Sequence, residues 1–352
     1  MQKKKLLMQK TKVLAITGSY AKTSCKKILN FLLKDFFCIA VTPENYNTPM
    51  GLAITIDKMK GNEDLLIAEF GARKEGDIRE LCDLFCPFYG ILTGVCAQHL
   101  ETFGTLDAVY REKKELANAV DHNAGIMVFN ANDKNTFRMW KQYGGKKLSA
   151  GTGKICDVFA KEINIKNYRS YFTLCIGDRA WKCSTGLLGR NQIQNIALCV
   201  AMCIALGCDV EKIVEKIEYI PNIPHRMEYI YANGVHIIDD SYNANIIGVK
   251  GAAEVMTSLP GRKCAVLQGI VEGGEENDEL NEGVGETFAR VLDLAIVCGV
   301  NADRIEKGLN KGGYSGEIIK VKTFEKVKEI IKTNIHIGDN LLFQNDIPDI
   351  YS

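Results

Sequence analysis

The stretch "VLAITGSYAKTSCKK", residues 13–27, decides how this chain is read. An apolar, strand-like run ends in Thr17-Gly18, and Lys22-Thr23 opens a segment with helical spacing. The general phosphate-loop pattern G-x-x-x-x-G-K-[ST] fails twice, because Ile16 and Ala21 stand where glycines belong. The shorter form G-x-x-G-K-[ST] fails only at Ala21. Gly18, Ser19, Tyr20, Ala21, Lys22, Thr23 and Ser24 are the residues such a loop would lay around a phosphate chain. Lys22 is placed to neutralise phosphate charge, the Thr23 hydroxyl can ligate Mg2+, and the helix N-terminus that follows favours anions. If position 21 needs a positive φ, alanine costs about 1 kcal/mol there. Taken alone, a strand, a turn and a basic helix would read much the same way.

Outward from this loop, short apolar runs alternate with helical segments. "KVLAIT" (12–17), "DLLIAEF" (64–70), "YGILTGV" (89–95) and "GIMVFN" (125–130) read as buried strands. "TSCKKILNFLLKDF" (23–36), "EGDIRELCDLF" (75–85) and "LDAVYREKKELANAV" (106–120) have helical spacing. Such alternation predicts a parallel sheet covered on both faces. Residues 155–185 change to an antiparallel β pattern, and 191–218 read as helical. "YIPNIPHRMEYI" holds two of the seven prolines and reads as a linker. A second α/β pattern follows, with strands expected in "VHIIDDSY" (235–242), "CAVLQGI" (264–270), "LAIVCGV" (294–300) and "NLLFQND" (340–346). Ligands bind such sheets outside the carboxyl ends of the strands, so the informative residues are those just after the runs.

The 352 residues suffice for two domains, and 46% hydrophobic with 25% charged residues is the balance of a globular protein with sizeable cores. A net charge of +1 gives no support to a nucleic-acid groove, and no apolar run approaches the ~20 residues needed to span a bilayer. The early lysines read as a solvated leader. Thirteen cysteines are scattered through apolar stretches with no CxxC pair. Spacings such as Cys82/Cys86 and Cys199/Cys203 fit a helix face better than a zinc site. They imply buried reduced thiols and a cytoplasmic setting.

Three further residues sit where chemistry is expected. "LLIAEFGA" is an apolar strand ending in a carboxylate, Glu69, which is costly to bury unless it is paired or bound to metal. An oxygen ligand beside phosphates suits Mg2+. His99, in "QHLETFG", follows a strand, and Lys113, in "REKKEL", lies one helix later. Singly, each has a bland reading as a strand end, a lone histidine or a charged helix face.

The order of these pieces resembles the Mur ligase family, in particular its MurF type, which adds D-alanyl-D-alanine to the muramoyl tripeptide. The pieces are "TGSYAKTS", "NYNTPMGL", "AEFGARKEGDI", "QHLETFG", "REKKEL", "LLGRNQIQN", "PHRMEY" and "DDSYNAN", in family order over nearly the whole chain. The resemblance implies a central phosphate-loop ATPase domain with a mostly parallel sheet (1–224) and a C-terminal Rossmann-like α/β domain (225–352). It implies ATP held by Lys22 and Thr23, and two Mg2+ ions, one at Glu69 with Thr23 and one at His99. Lys113 matches the lysine that the family carbamoylates with CO2, which turns a cation into a carboxylate that fits beside Mg2+ as a further metal ligand. Asn195 would meet the adenine, Arg226 the phosphates and Asp240 the ribose, with Asn243 and Asn245 shaping the same loop.

The implied activity is ATP-dependent joining of a carboxylate to the amine of an amino acid or dipeptide through an acyl phosphate. The rival expectation is a degenerate relative that binds nucleotide or a partner without catalysis. A phosphate-loop kinase or GTPase is disfavoured by the second α/β domain. Departures from the family are Ala21, Asn191-Gln192 for its His-Asn pair, His225 for a glycine and Ile246 for a proline. The phosphate loop begins within the first twenty residues, so no counterpart of the family's UDP-sugar-binding domain precedes it in this sequence. The acyl substrate is then expected on a separate subunit or a further segment, or is not a UDP-sugar.

Overall fold

The computed structural model describes residues 6, 10–96, 100–153, 156–242, 244–271 and 274–344. Two compact units emerge. One comprises Met1–Ile163, Phe172–Ser184 and Gln192–Ile220; the other comprises Asn164–Tyr171, Thr185–Asn191 and Pro221–Ser352.

The first unit begins with β1 (Lys12–Thr17), α1 (Lys22–Leu33), β2 (Ile39–Val41), α2 (Pro49–Lys58), β3 (Leu65–Glu69) and α3 (Asp77–Phe85). It continues through β4 (Tyr89–Leu92), α4 (Leu100–Phe103), α5 (Leu106–His122), β5 (Ile126–Asn130), α6 (Lys134–Gln142) and β6 (Lys146–Thr152). A meander of β7 (Val158–Lys166), β8 (Arg169–Ile176) and β9 (Arg179–Thr185) leads to α7 (Arg190–Ala205) and α8 (Val210–Lys216), of which Asn164–Tyr171, Thr185 and Arg190–Asn191 are counted with the second unit. The sheet order is β2-β3-β1-β4-β5-β6-β7-β8-β9, and the pairings from β2 through β7 are parallel. Two-residue turns join β7 to β8 and β8 to β9, and turns so short join only antiparallel neighbours. Asn167 and Tyr168 both take positive φ at the first of these turns.

The predicted strands at 12–17, 64–70, 89–95 and 125–130 are present because β1 and β3 bury apolar side chains on both faces. Helix α6 and strand β6 are not singled out by the sequence, and neither are two further elements. β2 is a three-residue strand of half-buried side chains, and α2 has a weak apolar stripe. The Thr48 side chain caps α2 by accepting from Gly51 N–H, with Pro49 at its first turn.

The second unit carries β10 (Glu228–Ala232), β11 (Val235–Asp240), α9 (Ile246–Ser258), β12 (Lys263–Leu267), α10 (Asn277–Phe288), β13 (Leu294–Cys298), α11 (Ala302–Lys311), β14 (Glu317–Val321), α12 (Phe324–Asn334) and β15 (Asn340–Gln344). Its order is β10-β11-β15-β12-β13-β14, parallel except for the β10–β11 hairpin. The stretch expected to be a linker, 219–230, is not one throughout. Its last residues start β10, and Met227 is buried among the core of this unit. All thirteen cysteines are free, eight of them buried. No helix among the described residues is long and apolar enough to cross a membrane.

Helices α10 and α11 touch through glycine. A Cβ at Gly285 would lie 2.1 Å from the Ile305 carbonyl oxygen, and one at Gly308 would lie 2.0 Å from that of Glu282. Backbone cannot yield as a side-chain tip does, so the helices must part. Gly285→Ala and Gly308→Ala are each expected to lower unfolding free energy by about 1–3 kcal/mol, read by urea titration.

Candidate active site

Sheet register builds the first unit's site. Ile16 of β1 pairs with Glu69 of β3, so the loop leaving β1 starts beside that carboxylate. The loop is held from below. Ser19 N–H donates to the Gly94 carbonyl, and Thr17 Oγ1 donates to the Phe70 carbonyl at 2.9 Å. At Gly18 a Cβ would lie 2.1 Å from Thr93 Oγ1, so only glycine fits. Tyr20 closes over Gly94 and donates to Asp133 Oδ2 at 3.4 Å. Burial and Asp133 both push its pKa up. Ser19 Oγ bonds the backbone of Cys96.

Ala21 does adopt the left-handed conformation, with φ 63° and ψ 1°, and it stands at the N-cap of α1 without a side-chain cap. The loop therefore keeps the backbone shape for which the pattern reserves glycine. Lys22 Nζ donates to the Gly18 carbonyl at 2.9 Å, folding back over the loop.

Thr23 Oγ1 donates to Glu69 Oε2 at 2.9 Å. Glu69 N–H donates to Thr42 Oγ1 at 3.3 Å. Lys113, on α5, is buried. Burial first, and the Lys22 charge second, push its pKa down to about 7, against Glu112, Asp77 and Glu69. Glu112 is a residue that the sequence alone does not single out. Its two oxygens accept from Gly76 N–H at 2.7 Å and Ile78 N–H at 2.6 Å, capping α3 from another helix. A carboxylate adjoining Lys113 in "REKKEL" is the one signal the sequence offers for it. His99 lies outside the described residues.

Asn195, on α7, is buried and donates to Gln192 Oε1 at 3.3 Å. Gln192, one of the family departures, thus orients the amide expected at the adenine.

In the second unit, Asp240 ends β11. Its carboxylate accepts from Gln344 Nε2 at 3.1 Å and from Met227 N–H at 3.2 Å. Burial pushes its pKa up to about 6, against Gln344 and the Arg226 charge. Arg226 donates to the Tyr242 carbonyl at 2.6 Å and its guanidinium lies over the Tyr242 ring. Asn245 caps α9, its Oδ1 accepting from Ile247 and Gly248 N–H, so its side chain serves the helix. Asn243 lies outside the described residues.

Residues 16–203 match the Mur ligase middle domain, and residues 225–343 match the Mur ligase glutamate ligase domain. The chain belongs to the Mur ligase family. This Mur ligase chain is 28% identical over 314 residues to a UDP-N-acetylmuramoyl-tripeptide–D-alanyl-D-alanine ligase of Mycobacterium tuberculosis, covering 87% of this chain and 61% of that protein. A protein of the same name from Escherichia coli is 28% identical over 308 residues, covering 86% of this chain and 68% of its own length. The crystal structure of MurF ligase from Thermotoga maritima in complex with ADP superposes with a TM-score of 0.87 at 28% identity, covering 98% of this chain and 78% of that one. The chain spans about three fifths of the length of the first curated relatives it matches.

Two outcomes test the site. Ala21→Gly should change unfolding free energy by less than about 1 kcal/mol, because relief at positive φ is offset by the greater freedom of glycine in the unfolded chain. Ala21→Val, β-branched at positive φ, should lower it by more than about 1 kcal/mol in the same urea titration. The folded Lys113 pKa lies below its ordinary value. Between about 7 and the ordinary lysine value the unfolded chain binds a proton that the folded chain lacks, so this group makes stability rise with pH there. Below that window the folded chain carries the buried cation at full cost. Lys113→Met should therefore raise the melting temperature, in EDTA, more at pH 6 than at pH 10.

Proposed function

We propose that the chain is an ATP-dependent carboxylate–amine ligase of MurF type, acting in peptidoglycan precursor assembly in the cytoplasm. The observation that carries the proposal is the grouping of three features in one unit. These are a phosphate loop with its basic residue, a carboxylate bonded to the loop threonine, and a buried lysine whose ammonium form is disfavoured. The names of the relatives supply the substrate class: an acyl substrate of the muramoyl-tripeptide kind and D-alanyl-D-alanine or a similar dipeptide or amino acid.

We assign residues 1–224 to nucleotide binding and residues 225–352 to the second domain. The Thr23 hydroxyl and the Glu69 carboxylate are hard oxygen donors in contact, a set that fits Mg2+. Bound there, the ion would screen phosphate charge. His99 is the assigned ligand for a second ion. Lys22 holds the phosphates, and Arg226 takes up charge that develops on them. Asn195 meets the adenine and Asp240 the ribose. A neutral Lys113 amine is nucleophilic toward CO2, and the resulting carbamate replaces a disfavoured cation with an anion.

In the reaction, a carboxylate oxygen of the acyl substrate attacks the γ-phosphorus, and the bond to the ADP oxygen breaks. The amine then attacks the acyl carbon, phosphate leaves with the bonding pair, and a proton departs from nitrogen. The protein's part is to place the reactants and stabilise charge. Recognition of the rest of the acyl substrate is assigned to a separate subunit or to a segment beyond these two units.

Protein, ATP, Mg2+ and bicarbonate should release phosphate only when both a muramoyl-tripeptide and D-alanyl-D-alanine are present. Tight ATP binding with no turnover on any acyl–amine pair would overturn this reading in favour of a nucleotide-binding relative. Lys113→Ala should lose roughly 100-fold or more in turnover and recover part of it with added short-chain carboxylate. Full activity without the additive would remove the carbamate assignment.

A further inference from the structure

A second lysine on α1 is buried where no phosphate-loop pattern asks for one. Lys26 has 2% side-chain exposure, and its Nζ lies 3.4 Å from Glu69 Oε2, whose own side chain is 4% exposed. The same Nζ donates to the Glu44 carbonyl. A lysine on the interior face of a helix is costly unless it is both paired and hydrogen-bonded, and this one is. Its two partners come from different segments. Glu69 ends β3, and Glu44 belongs to the turn at 42–48 that precedes α2. That turn is tied to β3 and the residues just after it at further points, and Thr42 N–H donates to the Ile67 carbonyl at 3.1 Å. Thr42 Oγ1 accepts from Glu69 N–H at 3.3 Å, and the Asn47 carbonyl accepts from Gly71 N–H at 2.9 Å.

We propose that Lys26 is a positioning residue: it clamps the Glu69 carboxylate against Thr23 and locks the 42–48 turn to the end of β3. Glu69 Oε2 then sits between two fixed donors, the Thr23 hydroxyl and the Lys26 ammonium, with its other oxygen left to a ligand. This rests on the proposed function only in the identity of that ligand, a divalent cation bound with a nucleotide.

The first test is independent of any ligand. Urea unfolding in EDTA is measured for wild type, Lys26→Met, Glu69→Gln and the double variant. Each single change strands a buried partner, so each lowers the unfolding midpoint. The double variant should unfold at a higher midpoint than Lys26→Met alone, because no stranded charge remains. A double variant that loses the sum of the two single losses overturns the clamp. Should Lys26→Met not accumulate as folded protein, recovery of folded protein on adding Glu69→Gln supports the clamp, and failure of both overturns it.

The second test reads position rather than stability. ADP binding is followed by calorimetry over a Mg2+ series for wild type and Lys26→Met. Removing a cation beside a metal-binding carboxylate would, by charge alone, tighten Mg2+ binding. Loss of positioning does the reverse. The half-saturating Mg2+ concentration is expected to rise at least tenfold, with Mg2+-free ADP affinity within threefold of wild type. An unchanged or lowered value overturns the proposal. Were wild type to show no Mg2+-dependent ADP binding, the proposed function would fall, and the unfolding cycle would still decide the clamp.

Discussion

A carboxylate at the end of a strand buried on both faces is the constraint around which the first unit is arranged. β1 and β3 lie side by side with their apolar residues withdrawn from water, and Glu69 is where the apolar run stops. Burying that charge without partners would be costly. Two segments answer it. Helix α1 brings the Thr23 hydroxyl and the Lys26 ammonium, and the turn after β2 brings the Thr42 hydroxyl to the backbone N–H. The carboxyl ends of β1 and β3 are thus arranged around one acid that has to be satisfied.

The next layer is set by backbone N–H groups at a helix end. Helix α3 begins at Asp77 after a glycine that offers no side chain, so its first donors need acceptors from elsewhere. Glu112 of α5 provides them, and Asp77 in turn accepts from Arg73 and Lys74 N–H. The turn after Glu69 is therefore fastened to α5, the helix that carries Lys113. Cap and lysine are consecutive residues. A small shift of α5 would disturb the turn and the amine together.

What can be read from the sequence follows the same physics. β1, β3, β4 and β5 are legible because strands buried on both faces are continuous apolar runs, and the fold class follows from them. β2 and β14 lie at sheet edges with half-exposed side chains, so their patterns are diluted. Helix α2 is marked by Thr48-Pro49 rather than by an apolar stripe. In the site, Lys22, Thr23, Glu69 and Lys113 are visible as residue types at strand ends and along a family order of motifs. Lys26 is not, because a lysine four places after another on a helix reads as a solvated face. Only the register of β1 with β3 turns that face toward Glu69. Asn245 shows the converse. A polar residue in a recognisable motif spends its side chain on capping α9.

Lys113 joins two requirements that pull the same way. A pocket proposed to take a chain of phosphates needs fixed positive charge, and Lys22 is the residue assigned to it. The same charge, acting through surroundings poor in water, makes a second ammonium nearby unfavourable. Burial is the larger cause of the lowered Lys113 pKa, and the Lys22 charge is the second. Phosphate, once bound, opposes that cause by offsetting Lys22 and raising the proton affinity of a nearby amine. In the proposed reaction with CO2, the Lys113 amine is therefore best converted before the nucleotide arrives.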